Sequence, residues 1–167
     1  MKQMTDGNLH SALAGESQAH LKYMVFADAA EKEGLANVAR LFRAASYSEQ
    51  IHATNHLRAL EGVGNTAANL AAAFEGEIFE IEEMYPAYMA VAECQEEKRA
   101  RTSMDRAFET EKVHATLYGT AKEAVAESKD VDLPAIYVCE HCGYTMEGEA
   151  PDRCPICGAP RSRFHQF

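Results

Sequence analysis

Three things are scarce in this sequence: long apolar runs, positive charge, and cysteines outside a regular pattern. No stretch approaches the ~20 consecutive apolar residues that a bilayer-spanning helix needs, which argues against a helical membrane protein. The first residues, MKQMTDGNLH, hold no apolar signal core, so a chain that stays in the cytoplasm is expected. Lys and Arg number 16 against 26 Asp and Glu, a net charge of −10. Such a chain is poorly suited to nucleic acid or an anionic membrane surface. Five cysteines are present, and four of them fall in two C-x-x-C pairs. In a reducing compartment that pattern points to metal and not to disulfides. The length of 167 residues and the 47% hydrophobic fraction allow a medium domain with a sizeable core and a small module beside it.

A pattern that occurs twice organises the rest. Glu16 precedes Glu49-Gln50-Ile51-His52, and Glu77 precedes Glu111-Lys112-Val113-His114. Glu-x-x-His puts both side chains on one helix face, one turn apart. The apolar periodicity predicts helices over 5–33, 35–62, 66–95 and 98–128. Thr5 or Asp6 serves as the first cap, Gly34 as the first stop, and Asn65 or Thr66 as the third cap. Glu16, Glu49, Glu77 and Glu111 all lie on the otherwise apolar stripes, as do His52 and His114. His20 and His56 share those stripes, and for His56 a satisfied core histidine is the more economical reading. Pro86 falls inside the third helix and should kink or split it. Gly119 is tolerated in the fourth at about 1 kcal/mol relative to Ala.

Residues 129–136 lose the helical period, and Pro134 marks the stop. The expected domains are therefore a four-helix bundle over 1–133 and a small module over 134–167. The module's framework is Cys139-x-x-Cys142 and Cys154-x-x-Cys157. A segment this short cannot stabilise itself by apolar burial alone, whereas a four-sulfur metal centre supplies the missing stability. Tetrahedral sulfur suits iron or zinc. A zinc ribbon that only holds the segment together satisfies the same spacing. Cys94 stands apart, and a buried structural thiol is expected there.

Two Glu-x-x-His pairs, each with a stripe-facing Glu at nearly equal separation (33 and 34 residues), are hard to obtain by chance. Glu80 adds a fifth carboxylate one turn after Glu77. Two divalent metals would nearly neutralise five carboxylates, and no Lys or Arg on the same stripes does so. Oxygen donors with two imidazoles favour iron or manganese. A bundle core collecting such residues is how ferritin-like bundles hold a metal pair.

Through these residues the chain resembles the rubrerythrin family over essentially its whole length. The carrying motifs are Glu16 with Tyr23, Glu49-x-x-His52, Gly76-Glu77-Ile78-Phe79-Glu80 followed by Met84-Tyr85-Pro86, Glu111-x-x-His114, and the two cysteine knuckles. The resemblance implies a mainly α fold: a ferritin-like bundle followed by a rubredoxin-like four-cysteine domain. It implies that Glu16, Glu49, His52, Glu77, Glu80, Glu111 and His114 ligate a di-iron pair. Cys139, Cys142, Cys154 and Cys157 would hold a single iron, with zinc as the alternative. Tyr23 and Tyr85 are implied as hydrogen-bond donors to ligating carboxylates. Glu80 and His52 are implied to compete for one iron as its oxidation state changes.

The activity so implied is a non-haem di-iron peroxidase that reduces hydrogen peroxide to water. NAD(P)H-linked electrons would arrive from a rubredoxin or a flavoprotein reductase through the four-cysteine iron. The alternative is a ferroxidase that detoxifies iron. The connection from Gly62 to Thr66 spans at most ~18 Å, too little for the long crossover of a ferritin-like bundle. Either the helices run simply up and down, or two chains exchange helix pairs in a homodimer or a higher homo-oligomer. The link after the fourth helix also looks short for the module to reach its own di-iron site. A head-to-tail dimer, with one chain's four-cysteine iron serving the other's pair, is therefore expected.

Overall fold

The structure is a computed structural model that describes residues 1–167. In chain order it comprises α1 (Gln3–Lys32), α2 (Ala36–Ala59), α3 (Thr66–Phe79), a π-helical turn (Glu80–Met84), α4 (Tyr85–Cys94) and α5 (Lys98–Ala126). Three short strands follow, β1 (Ile136–Cys139), β2 (Thr145–Glu147) and β3 (Phe164–Gln166). No helix is long and apolar enough to cross a membrane. The chain forms two compact units, Met1–Gly64 and Asn65–Phe167.

The first unit is a hairpin of α1 and α2. Small residues sit at its seam: Ala27, Ala30, Ala39 and Ser46 are buried, which lets the two backbones approach closely. Ser46 is fully buried and donates through Oγ to the His20 carbonyl at 2.9 Å, while His20 Nδ1 lies 3.0 Å from the Ser46 carbonyl. His20 is thereby a clasp between the helices. Tyr23, Phe26 and Phe42 form an aromatic triplet with ring centroids 5.6 to 6.3 Å apart. The turn between the helices uses Gly34 at φ +79°, the left-handed conformation that glycine adopts without a Cβ penalty. The start of α1 differs from expectation. The helix begins at Gln3 and its cap residue, Lys2, makes no side-chain cap bond. Asp6 therefore lies inside the first turn, where its charge complements the helix N-terminus.

The second unit packs α3, the π turn and α4 against α5 and carries the strands. Asn65 caps α3 by accepting from the Ala68 amide at 2.9 Å, an arrangement worth about 1 kcal/mol. Pro86 splits the third helical segment, and the manner is specific. The Tyr85 amide bonds back to the Glu80 carbonyl, five residues earlier, and α4 restarts with Pro86 in its first turn, where a missing N–H costs nothing. The strands form an antiparallel sheet in the order β2-β1-β3, with Val138 opposite both Thr145 and His165. Cys94 is exposed at the last residue of α4, not buried as expected, because it falls where the chain turns toward α5.

Candidate metal centres

In each unit the fold brings one copy of the repeated pattern together. In the first unit, ligand atoms of Glu16, Glu49 and His52 all lie within 4.8 Å of one another. His52 Nδ1 is 2.9 Å from Glu49 Oε2, the contact that the i,i+3 spacing provides. In the second unit, Glu77, Glu111 and His114 form a matching group within the same limit. His114 Nδ1 lies 2.8 Å from Glu111 Oε2 and 3.8 Å from Glu77 Oε1. In both triads Nδ1 is the nitrogen turned toward the carboxylates.

The second triad is electrostatically crowded. Burial, then the neighbouring Glu111, raises the Glu77 carboxyl above its ordinary value of 4.5, and a hydrogen bond to Glu111 adds to the rise. Burial and then Glu77 raise Glu80 in the same way. Burial, with Glu80, Glu111 and Glu77 around it, lifts the Tyr85 phenol. Glu80 and Tyr85 thus lie near enough to the triad to feel its charge, although the Glu80 carboxyl is not one of the atoms within 4.8 Å. The π turn accounts for this alignment. Residues five apart on an α-helix differ by about 140° around the axis, whereas a turn closed five residues apart stacks them.

Other expected residues are placed differently. Tyr23 is half-buried in the aromatic triplet and makes no hydrogen bond to Glu16 or Glu49 within its unit. His56 is half-buried and stands outside the triad.

The four cysteines converge within 4.8 Å. Cys139 and Cys157 sulfurs are 3.7 Å apart, and Cys142 and Cys154 are 3.6 Å apart. A disulfide would need about 2.05 Å. Four sulfurs placed tetrahedrally about a metal at ~2.3 Å are ~3.8 Å from one another, so the group fits a single metal ion. Burial pushes the Cys142 and Cys157 thiols up. Burial acts the same way on Cys154, but hydrogen bonds from the Cys157 and Ile156 amides and from the Cys157 and Cys142 thiols together outweigh it, so that thiol is shifted down. Cys139 and Cys154 are buried, while Cys142 and Cys157 are partly exposed.

The module folds back onto α5 of its own chain. His114 Nε2 lies 2.9 Å from Thr145 Oγ1, and His141 Nε2 lies 3.5 Å from Arg106 Nη1. The reach that looked too short is sufficient. α5 ends at Ala126, twelve residues past His114, or ~18 Å of helix, and residues 127–135 can span ~30 Å. Thr145 carried no signal in the sequence, because only the tertiary fold places it on a residue 31 positions away.

A helical protein that gathers two Glu/Glu/His triads, followed by a three-stranded domain built on two cysteine knuckles, falls in the class of ferritin-like proteins fused to a rubredoxin-like domain. The comparisons narrow the class. The family described as Rubrerythrin matches residues 7–122, and the Rubrerythrin, rubredoxin-like domain matches residues 137–165. Rubrerythrin-2 of Clostridium acetobutylicum is 39% identical over 178 residues, covering 98% of this chain and 97% of the relative. That alignment is longer than this chain, so the relative has residues without counterpart here. Nigerythrin of Nitratidesulfovibrio vulgaris is 34% identical, covering 96% of this chain and 85% of its own length. A solved structure of nigerythrin in its fully reduced, all-ferrous state has a TM-score of 0.56 at 32% identity, covering 98% of this chain and 86% of that one. The chain belongs to the rubrerythrin family. The cofactors of that family are a di-iron site and a four-cysteine iron site, and the donor sets present here fit both.

Proposed function

We propose that this protein is a non-haem di-iron peroxidase that reduces hydrogen peroxide to water. The observation that carries the reading is the hydrogen bond that joins a residue of the four-cysteine domain to His114. An iron-storing ferroxidase has no use for an electron inlet; a turnover enzyme needs one. Glu16, Glu49, His52, Glu77, Glu80, Glu111 and His114 would hold the iron pair, and the four cysteines would hold one further iron. Bound there, iron would provide the two electrons that reduce peroxide to water, and electrons entering through the four-cysteine centre would restore it.

The chain's own residues manage charge and movement. Burial and mutual repulsion raise the Glu77 and Glu80 carboxyls, a crowding that bound cations would relieve. Tyr85, raised as well, remains a hydrogen-bond donor. The two histidines are held unequally. His114 is bonded on both ring nitrogens, to Glu111 and to Thr145. His52 is bonded only to Glu49, and its side chain is 51% exposed against 31% for His114. His52, with a single hydrogen bond to Glu49, is the less constrained of the two histidines, and the family resemblance pairs it with Glu80 as the ligands that exchange. The donor is a rubredoxin or a flavoprotein reductase carrying NAD(P)H electrons, and it meets the partly exposed Cys142 and Cys157 edge.

The functional form is a homodimer in which chains exchange helix pairs. Two observations support this. Residues 60–65 reach ~21 Å, whereas the crossover of a ferritin-like bundle must retrace α2, whose 24 residues are ~36 Å long. The α1–α2 hairpin also leaves Leu21, Val25, Phe26, Leu35 and Leu41 between 46 and 67% exposed, an apolar surface that calls for a partner. Residues 1–133 then form the bundle portion and residues 134–167 the electron-transfer domain.

The test is NAD(P)H-driven peroxide consumption with a supplied reductase, run beside metal analysis. Three irons per chain and peroxide-dependent turnover are expected. Zinc in the four-cysteine site, or iron oxidation by dioxygen with no peroxide turnover, would overturn the reading.

A further inference from the structure

Thr145 is 5% exposed and joins the two metal-binding regions of the second unit. Its Oγ1 donates to the Gly143 carbonyl at 3.1 Å and lies 2.9 Å from His114 Nε2. A threonine hydroxyl has one hydrogen. With that hydrogen on Gly143, the oxygen can only accept from His114, so Nε2 must carry a proton. Nδ1, turned toward Glu111 and Glu77, is then the nitrogen left to ligate. The Gly143 carbonyl belongs to the same peptide unit as the Tyr144 amide, and that amide bonds the Cys142 sulfur. One peptide group and a short chain of hydrogen bonds thus connect the cysteine cluster to the imidazole. His52 has no such backing.

We propose that Thr145 is a positioning residue that selects the Nδ1-ligating tautomer of His114 and, through a contact made within its own chain, couples the four-cysteine centre to the paired-metal site. This rests on the reading of His114 as a ligand of the iron pair. Coupling here means that an electron lost by the ferrous four-cysteine iron, which becomes ferric, reduces one ferric ion of the pair. An external reductant then restores the four-cysteine iron. A partner of this kind behind a ligating histidine sets ring orientation and basicity, and its loss typically costs 10-fold to 100-fold.

The experiment compares wild type with Thr145→Val, Thr145→Ala and Thr145→Ser in two measurements. The first is nitrogen NMR of the His114 imidazole in protein loaded with diamagnetic zinc, so that a metal ion and not the proton shared with Glu111 sits at Nδ1. Wild type and Thr145→Ser are expected in the Nε2–H form, with Thr145→Val and Thr145→Ala shifted toward Nδ1–H. The second is stopped-flow transfer of an electron from the reduced four-cysteine iron to the oxidised pair in loaded protein. A slowing of about tenfold or more is expected for Val and Ala, with Ser restoring the rate. An intact four-cysteine absorption band shows that the knuckles are folded in each variant. Unchanged tautomer and rate in both Val and Ala would overturn the proposal. If wild type itself passes no electron, the relay in the proposed function fails, while the tautomer measurement still decides the positioning role.

Discussion

Co-expression of two disabled chains gives a quantitative test of helix exchange. His52→Ala disables the first unit's triad and Glu111→Ala the second unit's. If each site draws α1–α2 from one chain and α3–α5 from another, a mixed dimer holds one doubly altered site and one intact site. Random pairing makes half of the dimers mixed, so about a quarter of all sites should be whole. If each chain completes its own site, every site carries one lesion and none is whole. The geometry predicts the first outcome, because the connection falls short of the α2 length by well over 10 Å. The assay is iron per chain and the di-iron absorption band on tagged, affinity-selected mixed dimers, in which half of the sites should be whole. A second arm replaces Val63 with about 20 flexible residues, enough to retrace α2 and permit closure within a chain. That variant should lose the complementation. Mixed dimers that show no intact sites would refute the exchange.

Three further outcomes are expected. In metal-free protein, Glu77 and Glu80 titrate above 4.5, so their contribution to stability is full below that pH and is lost as pH rises through their raised values. Thermal melts of Glu77→Gln against wild type should therefore show a difference that moves in the variant's favour from pH 4.5 to neutrality, and a constant difference would contradict it. Cys142→Ser should abolish reduction of the iron pair by an external donor yet leave one peroxide turnover by chemically reduced protein; loss of that single turnover would argue against separate roles. Asn65→Ala removes the cap on α3 and should cost about 1 kcal/mol in denaturant unfolding, with iron content unchanged.

The metal-binding vocabulary of this protein was legible in its sequence. Glu-x-x-His and C-x-x-C are local spacings, and a helix or a knuckle converts such spacing directly into convergence. The stripe positions of Glu16 and Glu77, the Asn65 cap and the break at Pro86 follow from the same short-range rules. What those rules do not contain is pairing between distant segments. The burial of Ser46 against His20 and the outward face of Cys94 depended on how helices pack and turn. The π turn that lays Tyr85 over Glu80 depended on how the chain resolves a missing proline N–H. Above all, the contact of Thr145 with His114 depended on a nine-residue linker letting a sheet fold back along its own helix. Which atoms can hold metal follows from residue order alone, because ligand chemistry and helical period are local. That His114 gains a second partner in Thr145 while His52 has only Glu49 emerged with the packing, because it arises where the cysteine module meets α5.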